Sequence, residues 1–224
     1  MPRSRAALAL LLPLLLLVPA GPARVETLGD WPEPVPVVSQ VETDDPVVFL
    51  TIDDGWHRDP AAQRLLLDRQ VPASLFVLPG AYAEDTGYFR ALLGRGPARP
   101  ENHTVSHPEL DTLGFAAQRA EVCGVRARHL AAFGDGPRLL RPPRGRYDGW
   151  TPRAAGGCGA AAVVMWTHDF TTWGDSAPPT PRLEAGDIVL LHFTPTLEAD
   201  LTRALDAADA AGLRPAQLRR YLAD

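Results

Sequence analysis

Residues 47–55 read VVFLTIDDG: six apolar or β-branched residues run straight into two adjacent carboxylates and a glycine. Val, Ile, Phe and Thr fit the pleated surface of a strand. A run without polar alternation suits a strand buried on both faces, as in a parallel sheet. Two neighbouring Asp residues repel each other, and burying either one alone is costly. Positive charge has to meet them, and the rest of the chain has to supply it.

Working outward, the pattern alternates. The strand over 47–52 precedes a helix over 60–70; a strand over 74–78 precedes a helix around 88–93. A third short segment lies near His103. The longest amphipathic stretch, 115–133, reads as a helix stopped by Gly134. Beyond it come a strand over 138–140, a small helix near 151–155, and strands over 161–166 and 187–193. A last helix over 197–211 stops at Gly212. Strand–helix alternation of this kind argues for a parallel α/β sheet or barrel. Asp53 and Asp54, Arg141 and His192 each fall at the carboxyl end of an expected strand, the rim where α/β barrels assemble their sites.

The chain has 224 residues, 46% hydrophobic and 22% charged, which suits one globular domain, here 46–224. Ahead of it, 24–45 is a Pro-rich leader (Pro32, Pro34, Pro36) with at most one short strand over 35–41. Residues 1–23 have the pattern of a secretory signal peptide: Arg3 and Arg5, an apolar run over 6–18, then Ala20, Gly21 and Ala23. That run is shorter than the roughly 20 residues a membrane span needs, so no stable span is expected after cleavage, and the protein is expected to be secreted. The net charge is −5, and all basic residues are Arg. No basic cluster points to nucleic acid, and a monomer is expected. Cys123 and Cys158 are the only cysteines; in an exported chain they invite a disulfide, the alternative being two buried thiols. Without CxxC spacing they are not a metal site.

ENHTVSHPEL places His103 and His107 four apart. On a helical turn that spacing puts both imidazoles on one face. With a carboxylate from TIDDG the set becomes two His and one Asp, a catalytic zinc set with a position open for water. Arg141, in LLRPPRGRYD, can pair with the second carboxylate. DIVLLHF ends an apolar strand with His192.

TxDDG, HTxSH, RPPxG and LxH in this order resemble the polysaccharide deacetylases, the NodB-homology group of carbohydrate esterase family 4, over roughly residues 44–224. The resemblance implies a deformed (β/α) barrel and a divalent metal, usually zinc. It implies an acetylated polysaccharide as substrate, more readily the N-acetyl groups of N-acetylglucosamine polymers such as peptidoglycan or chitin than the O-acetyl groups of xylan; a weakened carbohydrate-binding relative is the alternative. It casts Asp53 as general base, Asp54, His103 and His107 as metal ligands, and Arg141 as the partner of Asp53. The backbone N–H of Arg144 then serves the oxyanion, His192 is the general acid, and Leu190 lines the acetyl-methyl pocket.

The fourth motif departs from the family's DxxDW. In WTHDFTTWGD, Asp169 takes the first place and Trp173 the last, but Thr172 stands where the second Asp orients the catalytic His. Thr carries no charge to favour the imidazolium, so weaker activity at neutral pH is expected unless Asp169, Asp175 or Asp187 substitutes. Glu101, where the family often has Gly before Asn102, is expected to point to solvent. His57 reads as a surface residue, His129 as solvated or packed, and His168 has no assignment. Trp56, Trp150 and Trp173 are candidates for stacking on sugar rings, with core packing as the ordinary alternative for each.

Overall fold

The computed structural model describes residues 31–223. The expected signal peptide, 1–23, and the start of the leader lie outside the described residues. The chain runs β1 (Val37–Val38), β2 (Val47–Asp54), α1 (Pro60–Asp68), β3 (Ser74–Val77), α2 (Pro79–Tyr82), α3 (Gly87–Arg95), β4 (Arg99–Asn102) and α4 (Phe115–Phe133). It continues β5 (Leu139–Leu140), α5 (Thr151–Gly157), β6 (Ala162–Val164), β7 (His168–Asp169), β8 (Ile188–His192), α6 (Leu197–Ala210), β9 (Arg214–Pro215) and α7 (Arg219–Leu222).

The named strands pair in parallel in the order β1-β6-β5-β4-β3-β2-β8-β7, with β9 also against β2. The sheet curls until the segment after β1 meets the approach to β8: Gln40 bridges Asp187, and Val41 N–H donates to Gly186 O at 2.9 Å. Gly186 permits this contact, because it sits at φ +86° and a Cβ there would lie 1.9 Å from Val41 O. The result is the deformed (β/α) barrel.

The period of two along β2 sorts its side chains. Val47 and Phe49 join Phe76, Leu139, Val164 and Ile188 in an interior cluster, while Val48, Leu50 and Ile52 join Leu66, Phe89 and Leu201 beneath the helices. Continuing the alternation puts Thr51 and Asp53 on the interior side, and both are buried. β2 does not stop at Ile52 as expected from the apolar run; it carries both aspartates, with Asp53 in register with Phe76 and His192. Backbone pairing on both sides outweighs the poor strand propensity of Asp.

The helices follow their local signals. Asp59 caps α1 by accepting from Ala61 N–H at 2.8 Å, with Pro60 in the first turn. Gly134 ends α4 in the left-handed conformation, φ +73°. The disulfide between Cys123 and Cys158, with Cα atoms 4.9 Å apart, joins α4 to the residue that caps α5. Among the described residues no helix is long and apolar enough to cross a membrane.

Candidate metal and active site

Register builds the rim. Parallel pairing of β2 with β8 sets Asp53 opposite His192 and Thr51 opposite Leu190. Arg141 follows β5 directly and is fully buried. Its Nη1 donates to Asp53 Oδ1 at 2.8 Å and to Thr51 Oγ1 at 2.7 Å; Nε and Nη2 donate to the carbonyls of Val164 and Met165. The Phe76 ring lies 4.4 Å from its Cζ. Burial pushes the guanidinium pKa down, and the Asp53 carboxylate opposes that. A planar fork with this many fixed acceptors is held rigidly, so one oxygen of Asp53 is pinned and the other faces the cleft.

Asp54, next in sequence, points to a different partner set. The backbone turns left-handed at Asp54 (φ 74°) and again at Gly55 (φ 102°). Asp54 Oδ1 then lies 3.3 Å from Nε2 of both His103 and His107, yet it is buried without a hydrogen bond of its own. His103 Nδ1 lies 2.8 Å from the carbonyl of Arg141. A carbonyl only accepts, so Nδ1 carries a proton and Nε2 is the nitrogen directed at Asp54, the one a cation would take. Burial pushes the Asp54 pKa up, but the two imidazoles override it and hold the group well below the usual carboxylate range. Burial likewise lowers the His103 pKa, and the Asp53 and Asp54 carboxylates more than reverse that. An orphaned carboxylate oxygen and two imidazole nitrogens converging within 4.8 Å fit a divalent cation.

His103 and His107 do not meet on a helical turn, as their spacing suggested. The segment after β4 is a loop, left-handed at Thr104 (φ 68°) and His107 (φ 64°). Left-handed β-branched residues are uncommon, and this one is held from both sides. Asn102 Oδ1 accepts from Thr104 N–H at 2.8 Å, and the Glu121 carboxylate of α4 accepts from Val105 N–H, Ser106 N–H and Ser106 Oγ at 2.8–3.0 Å. Four of the five non-glycine residues with positive φ among those described, Asp54, Thr104, His107 and Arg144, belong to this site.

The cleft encloses about 290 Å³ and is walled by Pro142, Arg144, Gly145, Trp166, Trp173 and Leu190 along with the charged groups above. Arg144 turns left-handed (φ 56°), and its side chain leaves the cleft to pair with Glu109 at 2.8 Å, so only its backbone is presented. A side chain at Gly145 would be strained, since at φ +68° a Cβ would lie 2.9 Å from the Trp166 ring, which would have to shift. Trp173 packs edge-on against His192, ring centroids 4.7 Å apart.

Three expectations are corrected. Thr172 is not beside His192: its hydroxyl and N–H donate to Asp200, and it is Thr171 whose Oγ1 lies 2.8 Å from His192 Nδ1. No aspartate substitutes there. Asp169 accepts from Thr171 N–H and Trp173 Nε1, Asp175 is exposed, and Asp187 pairs with His168 at 3.3 Å. Glu101 does not reach solvent; strand alternation turns it inward, where it is fully buried and bonded to Arg219 Nε at 2.8 Å and to the N–H groups of Arg138 and Leu139. Trp56 and Trp173 are each 60% exposed and Trp150 38%, so core packing accounts for none of them. His57 is exposed and His129 fully buried. Thr51 opens the TxDDG motif but received no role from the sequence, and Glu121, Trp166 and Thr171 were missed; of these three, Thr171 lies one place from the motif position.

An α/β barrel with two histidines and a carboxylate that could hold a cation at its rim, beside an arginine-bound aspartate, defines a class of site before any comparison is made. The chain matches the polysaccharide deacetylase family over residues 40–163. It is 40% identical to an uncharacterized protein of Streptomyces coelicolor, over 99% of this chain and 97% of the relative. It is also 32% identical to a chitooligosaccharide deacetylase of Rhizobium leguminosarum bv. phaseoli, over 66% of this chain and 68% of the relative. A family 4 carbohydrate esterase from Bacillus anthracis shares the fold, with TM-score 0.71 at 22% identity over 82% of this chain and 86% of that one. The chain belongs to the polysaccharide deacetylase family, carbohydrate esterase family 4.

Proposed function

We propose that the chain is an exported, monomeric hydrolase, dependent on zinc, that removes acetyl groups from a polysaccharide, with the N-acetyl groups of N-acetylglucosamine polymers as its main target. One observation carries this reading: a buried Asp53–Arg141 pair stands beside the Asp54, His103 and His107 set in one cleft, with His192 opposite Asp53. The donor set of two imidazoles and a carboxylate suits zinc, which Asp54, His103 and His107 would hold and which would supply Lewis acidity. Asp53, pinned through Oδ1, would accept on its other oxygen the proton of the water that attacks the acetyl carbonyl. The backbone N–H of Arg144 stabilises the oxyanion, Leu190 receives the acetyl methyl, and His192 protonates the leaving amine. Support for an N-acetyl substrate comes from the chitooligosaccharide deacetylase among the relatives. Export rests on the pattern of residues 1–23, and the net charge of −5 argues against nucleic acid as a partner.

Thr171 favours a second reading, a weakened carbohydrate-binding relative, because a hydroxyl rather than a carboxylate meets His192. Acetate release from chito-oligosaccharide, peptidoglycan and acetyl-xylan, with zinc and with chelator, separates the two. Chelator-sensitive release from the first two supports the enzyme. Release from acetyl-xylan alone makes it an O-acetyl esterase. Saturable carbohydrate binding without release from any substrate supports the second reading.

A further inference from the structure

A groove of about 490 Å³ opens at the amino ends of β2, β3 and β4, the pole of the barrel opposite the cleft. Pro72 and Pro97 precede β3 and β4, Arg99 begins β4, and Arg214 and Pro215 form β9 against the start of β2. The start of β2, Val47, is separated from Asp53 by nearly the whole strand, about 20 Å at roughly 3.3 Å per residue. Groove and cleft share no lining residue among those described.

The walls are fixed and the charge is of one sign. Gln217 ties two sides together: its Nε2 donates to Pro97 O and its Oε1 accepts from Ser74 Oγ, each at 3.0 Å. Arg99, Arg214, Arg219 and Arg220 line the groove, and no acid does among the described residues. These arginines differ in what they have left to give. Arg219 is spent on Glu101 at 2.8 Å, on Asp135 at 3.1 Å and on the carbonyls of Pro100 and Gly136. Arg99 donates through Nη1 to Ala98 O, and its Nε lies 4.0 Å from Asp135, which leaves Nη2 uncommitted. Arg214 and Arg220 are exposed, with neither an ion pair nor a side-chain hydrogen bond among the described residues. Unpaired like charges around one trough set up a positive potential that an anion relieves, here in a chain of net charge −5. Guanidinium groups from three segments suit a tetrahedral phosphate, whose oxygens accept from several directions, better than a planar carboxylate. Tyr221, the aromatic residue of the lining, is already engaged: its ring packs edge-on to Phe49 with centroids 4.9 Å apart, and its hydroxyl donates to Asp45 at 2.6 Å. It offers no platform for a base beside the phosphate.

We propose that this groove is a phosphate site, with Arg99, Arg214 and Arg220 as the donors, which takes the free ion or one link of a phosphodiester chain. It does not depend on the deacetylase reading, and a ligand held there leaves the cleft at the other pole open. Calorimetric titration of the full chain with inorganic phosphate, a glycerol phosphate oligomer and trigalacturonate tests it. Phosphate and the oligomer bind, and trigalacturonate binds at least about fivefold more weakly. Arg214→Gln and Arg220→Gln each weaken phosphate binding about fivefold, and together they abolish it. Both side chains are exposed, so these variants melt with the parent. Two controls leave binding unchanged: Arg146→Gln, an exposed arginine paired with Asp111 at the catalytic pole, and His107→Ala in the candidate cation set. An oligomer held about tenfold more tightly than the ion identifies a phosphodiester chain as the ligand, and equal affinity identifies the ion. No binding of either, an equal loss in Arg146→Gln or His107→Ala, or trigalacturonate bound as tightly as phosphate overturns the proposal. So does an oligothymidylate preferred to the glycerol phosphate oligomer, since bases would then be read.

Discussion

A hydroxyl meets Nδ1 of His192, and the consequence of that choice is measurable at Thr171. A carboxylate in its place favours the imidazolium, the form that the proposed mechanism needs to protonate the leaving group. The acid then stays charged to higher pH, so Thr171→Asp should move the alkaline limb of the acetate-release profile upward by about one unit or more. An unmoved limb would mean that His192 is not the proton donor. Thr172→Asp should do something else. It places a second carboxylate against the buried Asp200, which already accepts from Thr172 and Thr196, so the expected result is a loss of about 2–3 kcal/mol in urea unfolding without the pH shift. Sequence pattern came within one residue of the right position and no closer. DxxTW counts places along the chain, whereas which of two adjacent threonines faces His192 depends on how the chain leaves β7.

Arg141 is a second case at this scale, because its partner is as buried as it is. Arg141→Met removes the positive charge and leaves Asp53 uncompensated, for an expected loss of about 3–5 kcal/mol in urea unfolding. Adding Asp53→Asn should recover part of the loss. A single-variant loss below about 1 kcal/mol would show that water reaches Asp53 and that the pair is not sealed.

Among elements, α4 was legible to the residue, since nineteen residues of helical pattern end at a glycine that nature places left-handed. The two-residue strands β7 and β9 were not, because two residues carry no periodicity. The His103–His107 spacing suggests two imidazoles meeting on a helical turn; they do converge, but on a different backbone. A loop pinned by Asn102 and by Glu121, a residue 14 positions beyond His107 on α4, brings the imidazoles together as a helix would. The same helix buries His129, whose Nε2 lies 3.2 Å from Val77 O. Burial holds its pKa down at about 4, against an ordinary value near 6.5 in the unfolded chain. The unfolded state therefore takes up a proton first as pH falls. This stabilising contribution is complete above about pH 6.5 and is lost progressively towards pH 4, up to about 3 kcal/mol in all. His129→Gln keeps a donor for Val77 O without a titrating ring, and urea midpoints measured between pH 7 and 4 should fall less steeply for it. Equal slopes would show that His129 reaches water before the chain unfolds.

At the scale of the whole molecule, the cation set reports on the fold. Asp54 comes from β2 and the two histidines from the loop beyond β4; only the pairing of β2 with β3 and β3 with β4 brings them together. The unfolded chain has no such cluster, so an ion held there stabilises the native state by mass action. At free zinc a hundredfold above its dissociation constant the gain is about 2.7 kcal/mol, which for a chain of this size raises the melting temperature by roughly 5–10 °C. Magnesium, which prefers oxygen ligands, should do far less at the same concentration. His107→Ala should abolish most of the zinc shift, and because His107 is partly exposed rather than a core residue, the zinc-free protein should melt close to wild type. Reversal by chelator completes the test. A melting temperature indifferent to zinc, in a protein that still releases acetate, would mean that the convergence of Asp54, His103 and His107 serves the loop and not an ion. The loop's left-handed residues would then have to be accounted for by Glu121 and Asn102 alone.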